Sequence, residues 1–215
     1  MTKLLRKEFA LAAHPTNWIF ILLSAMLLIP NYPMYVVFFY TTLGLFFTSM
    51  SARENSDLYY TLLLPVRKRD VVRARGAFFA VIELIQCAAC VPFALLRAVL
   101  RVGPNAAGMD VNAALFGLSL AMLGIFNALF LPKLYKNPSS VGKPFVLAST
   151  AVVVYIAAAE VCCHAVPFFR DVLDTPDPQN IGAKLAVLAA GALVFALLSL
   201  LGTRQAERHF DRVDL

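Results

Sequence analysis

Two glutamates lie within strongly apolar stretches, where an ionisable side chain is unusual. Glu83 sits in AVIELIQ, and Glu160 sits in AAAEVCCH. A carboxyl group inside a membrane span usually faces protein or water, so each glutamate is a candidate for function. Each could line a substrate pathway, or it could be a protonated or paired carboxyl between packed helices. No chain of Asp, Glu and His connects the two, so we do not expect a proton relay.

The four cysteines form two close pairs. Cys87 and Cys90 have the CxxC spacing of a redox or metal motif, but no second Cys or His pair accompanies them at a matching distance. In an apolar helix they are better interpreted as small buried hydrophobic residues. Cys162, Cys163 and His164 form a further cluster whose spacing is a weak metal signal. We therefore expect no metal site.

Motifs of catalysis are absent from the sequence. It contains no HExxH, no GxSxG and no GxxxxGK[ST] phosphate loop, and its three histidines are far apart in the chain. We expect no catalytic residue and no cofactor in this chain. Hydrolysis of ATP would have to come from another protein, and an intramembrane enzyme is disfavoured.

The composition indicates the elements that must position these residues. Of 215 residues, 60% are hydrophobic and 15% are charged, and the mean hydropathy is +0.73. A soluble domain typically has about 25% charged and 45–50% apolar residues. The sequence therefore predicts an all-α, polytopic membrane protein, with residues 1–215 forming one transmembrane domain. About six spans of roughly 20 residues fit this length, which leaves no room for a soluble catalytic domain.

Six apolar segments are predicted to span the membrane, and the first is expected to remain uncleaved. They cover residues 17–29, 34–50, 71–96, 111–131, 144–163 and 181–201. With both termini in the cytosol, 15 of the 19 Lys and Arg residues lie on the inner side, as the positive-inside rule requires. The net charge of +6 reflects this bias and attraction to anionic lipid, and it does not indicate nucleic-acid binding.

An amphipathic helix is predicted before the first span, within residues 1–13. Arg6 and Lys7 share its polar arc, whereas Glu8 projects from the apolar arc. Such a helix lies in the membrane interface. An acid on the apolar arc requires a basic partner, which could be a simple ion pair with a neighbouring element or a contact that transmits movement.

The loop 51–70 combines an acidic helix start with a basic run. Residues 54–64 are predicted to form a short helix that Pro65 ends, and Asp70 is expected to cap the helix that becomes the third span. This helix could lie on lipid, or it could act as a lever that passes a push from a soluble partner into the membrane. On the other side, the Pro- and Asp-rich segment 164–180 is long for a plain loop and fits short half-inserted helices.

The order of these parts resembles the membrane subunit of ABC type-2 transporters. The similarity rests on LLRKEF in the amino-terminal helix and on the loop pattern E-x5-Y-x2-LLPV, followed by a basic run and VV-x2-R, here from Glu54 to Arg75. In topology it covers nearly the whole chain. Small size and the lack of a fused ATPase look most like the compact branch that includes bacterial peptide and toxin exporters.

The resemblance implies partners and roles. A second permease chain, identical or not, would complete a dimer, and separate cytosolic ATPase subunits would bind ATP and Mg²⁺. The helix in 51–70 would couple to the ATPase through Glu54, Asp57, Tyr60, Leu63, Pro65, Arg67 and Arg69. The interfacial helix would pack beside it through Arg6, Lys7 and Glu8, and 164–180 would supply outer re-entrant helices. The pathway candidates are Tyr35, Phe39, Tyr40 and Thr41, together with the two glutamates Glu83 and Glu160.

The predicted function is thus ATP-driven export of an amphipathic substrate such as a peptide, toxin or lipid, from a bacterial cytoplasmic membrane. Phe and Tyr with few charges suit such substrates better than ions or sugars. The alternative is a non-transporting membrane scaffold or immunity protein that docks a cytosolic partner. A secondary transporter is disfavoured, because the sequence shows no paired halves or broken central helices.

Overall fold

The computed structural model describes residues 2–213, and every regular element in that part of the chain is helical. The predicted all-α class is confirmed. In chain order the helices are α1 (Thr2–Lys7), α2 (Thr16–Leu22), α3 (Tyr35–Glu54), α4 (Asp57–Leu62), α5 (Lys68–Val99), α6 (Ala113–Lys136), α7 (Gly142–Ala165) and α8 (Ile181–Phe210). Helix α1 continues into a wider, π-helical turn (Glu8–Ala12), and α2 continues into a tighter 3-10 helix (Leu23–Leu28).

Five of these helices, α3 and α5 to α8, are long and apolar enough to cross a membrane. The segments Thr2–Ala12 and Thr16–Leu28 meet at 83° and form a sixth span if the bent pair is counted as one. This agrees with a chain that crosses the membrane several times. Helix α5 extends past the predicted apolar segment 71–96 at both ends, and α8 extends past the segment 181–201 at its carboxyl end.

The bend between the amino-terminal helix and the first span is fixed by polar contacts with α3. The Asn17 side chain donates to Thr48 Oγ1 at 2.7 Å and to the His14 carbonyl at 3.0 Å. Gly44 of α3 faces this amide, where a Cβ would lie 2.6 Å from Asn17 Oδ1. The helix predicted within residues 1–13 is therefore present, apart from Met1, which lies outside the described residues.

The centre of the molecule is the close pair α6 and α8. Glycines on both helices let the two backbones touch, because a side chain at these positions would meet main-chain atoms of the other helix. A Cβ at Gly124 would lie 2.9 Å from the Phe195 Cα, and one at Gly202 would lie 2.7 Å from the Asn127 carbonyl oxygen. Gly191 lies directly against the backbone of Gly117. The other helices pack around these two helices, which we call the α6–α8 pair.

Aromatic side chains pack α5 and α7 against the α6–α8 pair. Phe130 stacks on Phe126 and Phe79, with ring centroids 5.0 and 6.0 Å apart, and Phe145 packs edge-on against Phe130 at 6.3 Å. These rings are buried or nearly so. The apolar faces that the sequence pattern predicted therefore meet in one core.

Both ends of the chain lie at the same end of the bundle as the loop between α3 and α5. Arg73 of α5 pairs with Glu207 of α8 at 2.9 Å, and Arg69 pairs with Asp211 at 2.8 Å. The amino-terminal helix contacts the same part of α5, through an ion pair between Glu8 and Arg75. We call this end of the molecule the coupling end and the other end the far end.

Three predicted boundaries around α4 were wrong. Glu54 ends α3 and does not begin the short helix, because α3 remains helical until Ser56 enters the left-handed region at φ 52°. The short helix covers Asp57–Leu62 only. Finally, α5 begins at Lys68, so Asp70 lies inside its first turn and does not cap it.

The segment 164–180 at the far end contains one short helical turn, Phe169–Leu173. Leu173 is buried, and the carbonyls of Leu173 and Thr175 accept hydrogen bonds from the Asn112 side chain at 2.7 and 3.1 Å. Lys184 at the start of α8 is also buried, and it binds the Thr175 carbonyl and Asp177. The segment is thus fastened to the first turns of α6 and α8.

Candidate functional site

Four charged side chains join three helices at the coupling end. Arg75 of α5 lies 2.6 Å from Glu8 and 2.9 Å from Asp57 of α4. Lys7 pairs with Asp57 and donates to Thr61 Oγ1 at 2.9 Å. Thr61 in turn donates to the Asp57 carbonyl at 2.6 Å. We call Lys7, Glu8, Asp57 and Arg75 the ion network.

The ion network is largely hidden from solvent. The Arg75 and Glu8 side chains are 4% and 2% exposed, and the Asp57 side chain is 17% exposed. Two cations face two carboxylates, so the cluster is neutral as a whole, which is a requirement for burying charge at tolerable free energy. Asp57 therefore links α4 to both α1 and α5.

The opposite side of α4 and the two residues that follow the helix are apolar and exposed. Tyr59, Tyr60, Leu63 and Leu64 are 55–67% exposed, although each is large and hydrophobic. Leu58 and Leu62 instead pack against the core. An exposed apolar patch of this kind marks a site of contact with another protein or with the membrane. We call Tyr59, Tyr60, Leu63 and Leu64 the docking patch.

The structure divides the predicted coupling residues into two groups. Tyr60 and Leu63 belong to the docking patch, and Pro65, Arg67 and Arg69 are exposed beside it. Asp57 faces inward and serves the ion network. Glu54 is exposed on the last turn of α3, where its only charged neighbour among residues 2–213 is Arg53 at 3.7 Å.

The predicted interfacial residues also separate. Glu8 finds its basic partner in Arg75, as its place on the apolar arc indicated, and Lys7 reaches α4. Arg6 is exposed and makes no ion pair with the described residues. The prediction did not include Arg75 or Thr61 among the site residues. The position of Arg75, one turn into an apolar span, was the signal that pointed to a buried pair.

Two of the pathway candidates converge at the far end. The Tyr35 hydroxyl donates to the Met109 sulfur at 3.4 Å, and Glu160 accepts the Met109 backbone N–H at 3.1 Å. The Glu160 carboxylate also lies directly against Gly108. These side chains therefore hold the loop between α5 and α6 across the ends of α3 and α7.

The other pathway candidates lie apart from one another. Thr41 is buried on α3, and Phe39 and Tyr40 are half-buried, with Tyr40 packed on Phe20 at 5.6 Å between ring centroids. Glu83 is fully buried between α5, α6 and α8, where it accepts a hydrogen bond from Asn127 at 2.7 Å. Asn127 also donates to Ser199 at 3.0 Å. Glu83 is thus a carboxyl paired between packed helices.

The cysteines and the far-end acids have structural contacts. Cys90 is buried against Ser24 and Gln86, and the four cysteines are free. Asp174 accepts the Asp110 backbone N–H at 2.7 Å, and its burial raises the pKa of its carboxyl. Within residues 2–213, no group of three or more His, Cys, Asp or Glu side chains could hold a metal ion.

Comparison with known proteins identifies the family of the chain. The model of the family described as ABC-2 family transporter protein matches residues 3–202, which is most of the chain. No curated protein and no solved structure matches the chain in the same comparisons. Proteins of this family are membrane components of transporters and generally work with an ATPase subunit. The chain, with its several membrane-spanning helices, therefore belongs to the ABC-2 family of transporter proteins and is a multi-pass membrane permease.

Proposed function

We propose that this permease is the membrane subunit of an ATP-driven exporter and that its ATPase binds the docking patch. The observation that carries the proposal is the two-sided character of α4. Together with the two residues that follow it, α4 exposes the four large apolar residues of the docking patch, and its inward side is held by the ion network to α1 and α5. A partner that pushes on the patch therefore moves the start of α5.

The movement can reach the far end because the helices are joined in series. Arg73 and Arg69 tie the start of α5 to the end of α8, and glycines bring the backbone of α8 into close contact with α6. At its other end, α8 holds the segment 164–180 through Lys184. A displacement of α4 would in this way shift the outer segment that we propose closes the exit.

The remaining parts of the proposal follow from the family and the charge distribution. We place both termini and α4 in the cytosol, because the Lys and Arg residues are concentrated at that end. A second permease chain would complete the pathway, and the ATPase would bind ATP and Mg²⁺. The aromatic, weakly charged spans favour an amphipathic peptide, toxin or lipid as substrate. The protein would be located in a bacterial cytoplasmic membrane.

The test is co-purification and ATPase stimulation with the cognate ATPase. The permease alone should hydrolyse no ATP, whereas the complex should do so in liposomes. Tyr60→Ala and Leu63→Ala should each weaken binding and stimulation, since buried aromatic and aliphatic anchors dominate interfaces. Leu193→Ala, at an exposed position within α8, serves as the matched control.

Two outcomes would contradict the proposal. Binding and stimulation that survive both patch substitutions would show that the ATPase docks elsewhere. A complex that binds normally but moves no amphipathic substrate on addition of ATP would favour the non-transporting scaffold.

A further inference from the structure

A groove of about 530 Å³ lies at the far end between α5, α6 and α8. Its body is apolar and is formed by side chains such as Val91, Leu95, Phe116 and Leu120. Val91 and Leu95 are 46% and 63% exposed, so the groove is open along the side of the bundle. Its volume falls in the range of about 300–1,000 Å³ that is typical of small-molecule sites.

The length of the groove matches one leaflet of a bilayer. It follows α5 from Cys87 to Arg97, ten residues that rise about 15 Å at about 1.5 Å per residue. The hydrocarbon core is about 30 Å thick, so a leaflet contributes about 15 Å. With Arg97 at the membrane surface, Cys87 lies near the middle of the bilayer.

The mouth of the groove carries a cation, Arg97, that forms no ion pair with a carboxylate of the described residues. Arg97 is 5% exposed and donates to the carbonyls of Leu27, Ile29 and Gly103 at 2.8–3.3 Å. These three hydrogen bonds leave two of its five N–H groups without a partner among residues 2–213. Nor does any carboxylate in that part of the chain form an ion pair with it. Arg97 can therefore still bind an anion.

A side chain of opposite charge to Arg97, the carboxylate of Asp110, lines the same mouth. Asp110 accepts the Asn105 backbone N–H at 2.6 Å, and it forms no ion pair with the described residues. The neighbouring Asp177 differs, because Lys184 lies 3.0 Å from it. The mouth thus presents one cation and one anion, neither of them in an ion pair with the described residues, above an apolar channel.

We propose that this groove binds a phospholipid with a zwitterionic phosphoethanolamine headgroup. The phosphate would bind Arg97, the ammonium would bind Asp110, and one acyl chain would lie along Val91 and Leu120 towards Cys87. An anionic lipid matches less well, because it brings a second negative group or no cation to Asp110. The site does not depend on the transport function, since no residue that lines the groove belongs to the pathway candidates or to the docking patch.

The experiment is native mass spectrometry of the permease after extraction from vesicles that contain equal amounts of phosphatidylethanolamine and phosphatidylglycerol. Wild type should retain one phosphatidylethanolamine in preference to phosphatidylglycerol. Asp110→Asn keeps an acceptor for Asn105 but loses the charge, so the preference should fall about fivefold, the equivalent of one exposed ion pair. Ala94→Phe should fill the groove and abolish retention of either lipid. Ala190→Phe, at an exposed position of α8 outside the groove, is the matched control.

Equal retention of both lipids by wild type would overturn the proposal, and so would a preference that Asp110→Asn leaves intact. Should Ala94→Phe fail to fold, the Asp110→Asn comparison still decides. ATPase stimulation, measured on the same variants, separates the two proposals: it should persist in Asp110→Asn whether or not the lipid is retained.

Discussion

Neutralising Glu8 should detach the amino-terminal helix from α5. Glu8 Oε2 lies 2.6 Å from Arg75 Nε, and both side chains are almost completely buried. Removing one partner of a buried ion pair costs about 3–5 kcal/mol, because the other charge stays buried without compensation. Arg75 keeps Asp57 at 2.9 Å. We therefore expect Glu8→Gln to cost an amount at the lower limit of that range, about 3 kcal/mol.

A double-mutant cycle measures the pair directly. The free energy of unfolding would be determined in detergent micelles for wild type, Glu8→Gln, Arg75→Gln and the double variant. The two substitutions should couple by about 2 kcal/mol, within the range for contacting residues. Asp171→Asn is the matched control, because Asp171 and Arg170 form an ion pair at 2.7 Å with both side chains more than half exposed. Its stability should not change measurably.

Additive effects of the two substitutions would refute this reasoning. A Glu8→Gln variant that is as stable as Asp171→Asn would refute it too. Either result would mean that the ion network does not fix α1 to α5. In the expected case, Glu8→Gln should also lower ATPase stimulation while leaving ATPase binding in place, because the docking patch itself is unchanged.

Other predictions concern the α6–α8 pair and the far end. Alanine at Gly191 should lower the melting temperature, because its Cβ would strike the α6 backbone, whereas alanine at Gly182, which has open space, should not. Glu160→Ala should speed amide exchange at Met109, which loses its acceptor, as mass spectrometry of exchanged peptides would show. Burial raises the pKa of Asp174, so its charged form is penalised in the folded state. Wild type should gain stability relative to Asp174→Asn as the pH falls through that raised pKa towards 3.8, and thermal melts at several pH values would show it.

The spans were predictable because hydropathy and length are properties of short segments. The same applies to Glu8, since an acid on an apolar helical arc indicates a basic partner before the partner is known. The identity of that partner was not predictable: Arg75 lies 67 positions away, and only the packing of α1 against α5 brings the two together.

Errors around α4 have a local cause. The residues before Ser56 favour a helix, so no sequence pattern separates Glu54 from the helix that follows, and the break depends on one left-handed residue. The inward side of α4 was also ambiguous, because Asp57 in a first turn is explained equally well by the helix dipole. Its two basic neighbours come from α1 and α5, and they are visible only in the fold.

The contacts at the far end could not be derived from the sequence either. Tyr35, Met109 and Glu160 belong to three distant segments. Arg97 of α5 donates to the Leu27 carbonyl and so braces the turn after the first span. Such contacts depend on how loops fold over helix ends, for which hydropathy contains no signal.

The most direct test of the central claim is a photo-crosslink from the docking patch. A photoreactive amino acid would replace Leu63, which is 67% exposed at the coupling end, or Val99, which is 77% exposed at the far end. Each permease would be co-expressed with the cognate ATPase and irradiated in membranes. We predict a covalent adduct with the ATPase from position 63 and none from position 99. An adduct from position 99 alone, or from neither position while the two proteins still co-purify, would contradict ATPase coupling through α4.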